Sequence, residues 1–210
     1  KNLIGAFHQP RLVLCDPMTF QTLEPREMRS GMAEAIKYGV IWDEDLFNWL
    51  DENMGLALQF DNEVLKRLIT RCCEIKAEIV AEDEREHGLR SLLNFGHTVG
   101  HALEGVTGYS AYRHGEAVAV GMLAAGRVSL ETGRWSDEEQ QRLRGLIAKA
   151  GLPQNAPGLD DRQILLWLER DKKAQSGKVR WVLPAGIGRA ELVSEAPEEI
   201  VKRILADMAG

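Results

Sequence analysis

Two histidines four residues apart, with an asparagine and an arginine upstream, form the chemically richest stretch of the chain. It reads Arg90-Ser91-Leu92-Leu93-Asn94-Phe95-Gly96-His97-Thr98-Val99-Gly100-His101-Ala102. At about 100° per residue along a helix, with Arg90 at zero, Asn94 falls at roughly 40°, His97 at roughly −20° and His101 at roughly 20°. All four then share an arc of about 60° on one helix face. A merely solvated face would carry Lys, Glu and Gln instead. Gly96 and Gly100 each cost about 1 kcal/mol against Ala in a helix. They make sense where another backbone or a ligand comes close. Histidines at i and i+4 can chelate a metal, but His97-Thr98-Val99-Gly100-His101 lacks the internal glutamate of the HExxH protease motif. Two imidazoles leave a metal short of ligands, and His114, Glu34 and Glu104 are the candidates for a third.

His114-Gly115-Glu116 opens the helix that follows. A helix N-terminus disfavours a charged imidazole and so keeps it neutral and able to ligate; a plain capping histidine is the simpler reading. Glu34 and Lys37 lie at i and i+3 among small and apolar neighbours from Gly31 to Gly39. They form either a surface ion pair, worth a few tenths of a kcal/mol, or a pair aimed into a site, with Glu34 on a metal and Lys37 on a substrate anion. The run Glu82-Asp83-Glu84-Arg85-Glu86-His87 reads as a solvated helix end, and Asp171-Lys172-Lys173 as a loop.

The elements that must hold these residues are mostly helical. Helices are expected over Arg26–Tyr38, from Asp43 as N-cap to Glu52, over Glu63–Asp83, Ser91–Val106 and Glu116–Thr132. Ser136 with Glu139 forms a capping box for the next. Asp160 or Asp161 caps Gln163–Arg170, and a helix over Glu198–Met208 closes the chain. Arg11–Asp16 reads as one leading strand, and Lys178–Leu183 with Ala190–Val193 as a late hairpin. A lone strand is unstable, so it pairs either with the hairpin or with a sheet elsewhere in the protein. Trp42, Trp49 and Trp167 fall at core-facing helical positions.

The 210 residues carry 26 Lys+Arg against 32 Asp+Glu, a net charge of −6, with 44% hydrophobic residues. This suits a globular chain and argues against a general nucleic-acid or anionic-membrane surface. No apolar run approaches the ~20 residues of a membrane span. Cys15, Cys72 and Cys73 contain no CxxC, which fits a reducing, cytoplasmic setting. The chain starts at Lys1 and reads from its first residues like the middle of a protein, so a fragment is expected.

Taken in order, these motifs resemble the 3-dehydroquinate synthase family. The resemblance is carried by Lys1–Phe7 with Gln9-Pro10, Arg26-Glu27, Ala33-Glu34 with Lys37-Tyr38-Gly39, Leu93–Ala102, His114–Val118 and Asp171-Lys172-Lys173. It implies a mainly α fold: the helical C-terminal domain of a two-domain α/β enzyme, without its N-terminal NAD-binding domain. Residues 1–24 would be an inter-domain segment and 25–210 the metal- and substrate-binding domain. The implied activity is conversion of 3-deoxy-D-arabino-heptulosonate 7-phosphate to 3-dehydroquinate and phosphate in the shikimate pathway, by a cytoplasmic enzyme, homodimeric at full length, that uses NAD catalytically with Zn2+ or Co2+.

Carried over residue by residue, Glu34, His97 and His114 become the metal ligands. His101 and Glu86 become acid–base residues and Lys37 a catalytic, substrate-contacting lysine. Asn2, Lys76, Arg90, Asn94, and Lys172 or Lys173 become substrate contacts. Lys1 lies near the cofactor, and Thr19, Phe20, Gln21 and Thr22 touch its adenine end. A chain lacking the NAD-binding domain should not turn over substrate alone. The competing readings are another sugar-phosphate cyclase (2-deoxy-scyllo-inosose or valiolone synthase type), a glycerol-dehydrogenase-like alcohol dehydrogenase, and a non-catalytic helical metal-binding module.

Overall fold

The helix boundaries follow local capping chemistry. Pro25 sits at the start of α1 (Pro25–Ile41), where its missing N–H costs nothing. Asp43 accepts from the backbone N–H of Leu46 to start α2 (Glu44–Leu58), and Asp61 does the same through Val64 for α3 (Asn62–Glu82). Then come α4 (His97–Val106) and α5 (His114–Glu131). The expected Ser136–Glu139 capping box opens α6 (Asp137–Lys149), followed by α7 (Asp161–Ala174). The chain ends in α8 (Glu198–Ala209). The computed structural model describes residues 11–83, 88–174, 180–194 and 196–210, with residues 169–174 taken by their backbone alone.

The core is built around α5. Every residue from Ala117 to Ala125 is buried, and the helix packs on α1, α4, α6, α8 and the hairpin. A helix apolar on all sides has to be covered on all sides. The hairpin pairs β1 (Trp181–Pro184) antiparallel with β2 (Ala190–Val193), in the register Trp181 opposite Val193 and Pro184 opposite Ala190. Strand β1 is wholly buried, and the Ser129 hydroxyl donates to the Pro184 carbonyl to fasten it to α5. Trp42, Trp49 and Trp167 are half-buried against this core, Trp49 and Trp167 from their helices and Trp42 from the position just past the end of α1. No helix among the described residues is long and apolar enough to cross a membrane. The three cysteines are free.

Three expectations are corrected. Residues 11–16 have no ladder partner among the described residues, and Leu12, Val13 and Leu14 are 81%, 69% and 87% exposed. The hairpin closes its sheet at two strands, so the leading strand does not pair there. Ser91–Val106 is not one helix. A 3-10 turn over Leu89–Asn94 ends at Phe95, and Gly96, at φ 78°, breaks the path before α4 begins at His97. The common face calculated for Arg90, Asn94, His97 and His101 therefore fails for its first two members. Finally, Lys172 and Lys173 continue α7 and do not sit in a loop.

The glycines of α4 and α5 serve backbone contact. A Cβ on Gly121 would stand 1.9 Å from the Gly96 carbonyl oxygen, and one on Gly100 would stand 3.2 Å from the carbonyl of Ala117. Gly121→Ala should therefore destabilise the fold by about 3 kcal/mol, the upper end for an overpacked core. Gly145→Ala, on the exposed face of α6 with open space around it, should stabilise by about 0.5–1 kcal/mol. Urea midpoints of the two variants check this; equal midpoints would show that the α4–α5 contact yields freely.

Candidate metal centre

Three helices deliver the central side chains, two of them from their first residue. His97 starts α4 and His114 starts α5, while Glu34 lies midway along α1. The start of α5 is clamped to α1. The Gly115 N–H donates to the Ser30 hydroxyl at 3.0 Å, and a Cβ on Gly115 would stand 1.9 Å from the Ser30 carbonyl oxygen. Arg26 holds Glu116 with two bonds of 2.7 Å, and Arg113 reaches Glu27 at 2.6 Å. Glu34 lies one turn beyond Ser30, on the face that meets α5.

The result is a tight group of donors. Oε1 of Glu34 is 3.7 Å from Nε2 of His97 and 3.8 Å from Nε2 of His114. One donor atom from each of the three residues lies within 4.8 Å of the others. The His97 and His114 rings meet edge-on with centroids 5.1 Å apart. Each imidazole is held from behind. His97 presents Nδ1 to the Phe95 carbonyl at 3.1 Å, and His114 presents Nδ1 to both oxygens of Glu104, at 3.3 and 3.2 Å. A carbonyl or carboxylate oxygen only accepts, so each Nδ1 carries the proton and each Nε2 is left with its lone pair facing Glu34.

The electrostatics agree. Burial, with the Lys37 charge beside it, depresses His97 to about 4, so its ring is neutral near pH 7. Burial pushes the Glu34 carboxyl up, but the charge and hydrogen bond of Lys37, with the two imidazoles, outweigh it and hold Glu34 below its ordinary value. Lys37 is 4% exposed and donates to Oε2 of Glu34 at 2.6 Å. The other oxygen, Oε1, is buried and without a hydrogen-bond partner. A buried, ionised, unpartnered oxygen between two imidazole lone pairs is costly by itself. A divalent cation among the three satisfies all of them. The donor set, two nitrogens and one carboxylate oxygen, is that of an open catalytic zinc site.

The other expected residues are distributed as follows. His101 lies one turn along α4, exposed, with its ring 5.3 Å from that of His97 and 5.9 Å from that of His114. Arg90 and Asn94 sit in the 3-10 turn before α4, and Lys76 is exposed on α3. Thr19, Phe20, Gln21 and Thr22 belong to a 3-10 turn over Pro17–Thr22 that packs on α3. Lys1, Asn2 and Glu86 lie outside the described residues, as do the side chains of Lys172 and Lys173. Asp83, read from sequence as solvated, instead accepts from the backbone N–H groups of Gly88 and Arg90. Sequence reasoning weighed Glu104 only as a metal ligand and missed its bond to His114. Its spacing was the available signal: three residues after His101 and seven after His97, it shares their helix face.

The family profile described as 3-dehydroquinate synthase C-terminal matches residues 31–174, and the one described as 3-dehydroquinate synthase N-terminal matches residues 1–30. The chain is 50% identical to the 3-dehydroquinate synthase of Synechococcus sp. and 53% identical to that of Gloeobacter violaceus, in each case over 100% of its own length. It spans 58% of the length of these relatives. Among solved structures, it superposes with a TM-score of 0.89 at 26% identity on a 2-epi-5-epi-valiolone synthase from Streptomyces hygroscopicus subsp. jinggangensis 5008 with NAD+ and Zn2+ bound, covering 99% of this chain and 58% of that one. A 2-deoxy-scyllo-inosose synthase complexed with carbaglucose-6-phosphate, NAD+ and Co2+ gives 0.87 at 25% identity, covering 99% and 59%. With a family profile covering more than half of its residues, the chain belongs to the 3-dehydroquinate synthase family, through that family's C-terminal part.

Proposed function

We propose that the protein containing this chain is a 3-dehydroquinate synthase, converting 3-deoxy-D-arabino-heptulosonate 7-phosphate to 3-dehydroquinate and phosphate. The observation that carries the reading is the partnerless Oε1 of Glu34 between the Nε2 atoms of His97 and His114, in a chain of this family. Glu34, His97 and His114 hold a divalent zinc or cobalt ion. When bound, the metal polarises a substrate hydroxyl or ketone oxygen, and NAD takes up and returns one hydride so that no net redox change results. Thr19–Thr22 and Lys1 meet the cofactor, together with the part of the protein that the relatives carry beyond this span.

The remaining roles belong to the chain's own side chains. His101, exposed beside the two metal-facing imidazoles, accepts and returns a proton at a ring nitrogen, and Glu86 serves as the second acid–base group. Lys37 fixes Glu34 through Oε2 and brings a buried positive charge to the substrate's anionic end. Lys76, Arg90, Asn94, Asn2 and one of Lys172 and Lys173 bind the carboxylate, phosphate and hydroxyl groups, because a doubly anionic substrate calls for several cations. The other cyclases superpose closely, yet identities near 50% to dehydroquinate synthases against 26% to a valiolone synthase favour the acidic substrate.

The full-length protein, given this substrate with NAD and zinc, should release phosphate while total NADH stays constant. Steady NADH accumulation would indicate a dehydrogenase instead, and turnover only of the carboxylate-free sugar phosphates would indicate one of the other cyclases. The 210 residues alone should release no phosphate under the same conditions, and measurable release would overturn that expectation.

Two variants separate metal binding from proton transfer. His97→Ala should lose most of its zinc together with turnover; a full zinc complement would refute the ligand role. His101→Ala should keep its zinc and lose turnover by about 100-fold or more, the usual worth of an acid–base group. Unchanged turnover would remove His101 from the chemistry.

A further inference from the structure

Glu104 stands where stability rules oppose a carboxylate. It is 9% exposed, and it lies in the last turns of α4 (His97–Val106), near the negative end of the helix dipole. Its neighbours Ala102 and Leu103 are buried core residues. Among the described residues its side-chain oxygens meet no lysine or arginine; they meet Nδ1 of His114, at 3.3 and 3.2 Å. A buried carboxylate without a cation is retained against cost, which directs attention to the group it touches.

That group faces two ways. Nδ1 of His114 points at Glu104, while Nε2 lies 3.8 Å from Oε1 of Glu34. A neutral imidazole carries one proton, and the hydrogen bond at one nitrogen decides which lone pair is bare at the other. His97 has this decided by a fixed backbone carbonyl two residues before it. His114, the first residue of α5, has Glu104 in that role, a side chain from a different helix. Its own side chain is 37% exposed against 13% for His97, so packing restrains it less.

We propose that Glu104 is the positioning residue of the metal centre, holding His114 in the tautomer and ring orientation that present Nε2 to the ion. This rests on the metal-binding reading of Glu34, His97 and His114. Glu104 is not itself a ligand in this arrangement. Its oxygens lie on the Nδ1 side of the ring, and Glu34 occupies the Nε2 side. The alternative grouping of His101, Glu104 and His114, whose donors also lie within 4.8 Å of one another, would use Nδ1 of His114 as the ligand atom and leave Oε1 of Glu34 unsatisfied.

The test measures metal affinity in the full-length protein by competition with a chromophoric chelator, and the visible spectrum of the Co2+ form. Glu104→Ala should weaken zinc binding by about 10–100-fold, as removal of an outer hydrogen-bond partner does. Glu104→Gln, whose amide oxygen still accepts from Nδ1, should stay within a few-fold of the parent. Both should keep the parent's Co2+ band positions, because the donor atoms are unchanged. Parent affinity in Glu104→Ala would overturn the proposal, as would an equal loss in both variants accompanied by shifted Co2+ bands, the mark of a lost ligand. Glu34→Ala in the same titration separates the two readings: if it also binds zinc normally, the metal centre fails, and if only Glu104→Ala does, the positioning role fails. Matching thermal midpoints for Glu104→Ala and Glu104→Gln exclude a mere packing effect.

Discussion

The site depends on backbones that touch with no side chain between them. Helix α5 meets α1 where Gly115 lies against the Ser30 carbonyl, and meets α4 where Gly121 lies against the Gly96 carbonyl. Any residue with a Cβ at either place would push the helices apart. The donors of Glu34, His97 and His114 lie within 4.8 Å of one another only because both contacts are closed together. The spacing suits a single ion, whose ligands stand at about 2.0–2.2 Å from it. The glycines forgo side-chain packing at these points, and the buried run Ala117–Ala125 of α5 offsets the loss.

The same contacts set the electrostatics. Two helix N-termini and the Lys37 ammonium converge near Glu34. Burial and the Lys37 charge keep His97 neutral, the form that ligates. The helix ends and Lys37 put positive charge beside Glu34 although the chain as a whole is at −6. Net charge describes the outer surface and carries no information about the sign of a concave site.

What could be read from the sequence divides by range. Caps at Asp43 and Ser136 are decided within three or four residues, and the structure has them as local chemistry requires. The break at Gly96 was not legible. The residues that force it, Val118 and Met122, are more than twenty positions away, and periodicity alone extends a helix across any glycine. The leading segment was open for a related reason: the hairpin does not pair with it, which leaves the other reading, a sheet elsewhere in the protein. Arg11–Asp16 has a strand's composition, but a strand exists only with a partner, and composition does not supply one. Spacing offers Lys37 as a surface ion pair or as a site residue; the ion pair with Glu34 is there, but the ammonium is buried beside the metal-facing donors and not on the surface.

The histidine pair shows how far spacing can be trusted. His97 and His101 at i and i+4 invite the conclusion that both bind one metal. The break at Gly96 makes His97 the first residue of its helix, with Nδ1 tied to Phe95 and Nε2 turned to Glu34. His101, about 5.4 Å further along the axis, groups with Glu104 and His114 and not with Glu34. Read with the proposed roles, one face of α4 then carries three tasks at successive turns: His97 holds the ion, His101 moves a proton beside it, and Glu104 steadies the ligand that α5 contributes. A single rigid helix thereby fixes the distances between ligand, proton carrier and support, and a shift of α4 would disturb all three together. That coupling gives a physical reason for anchoring α4 to α5 through glycine contacts, which hold register more stiffly than interdigitated side chains able to change rotamer.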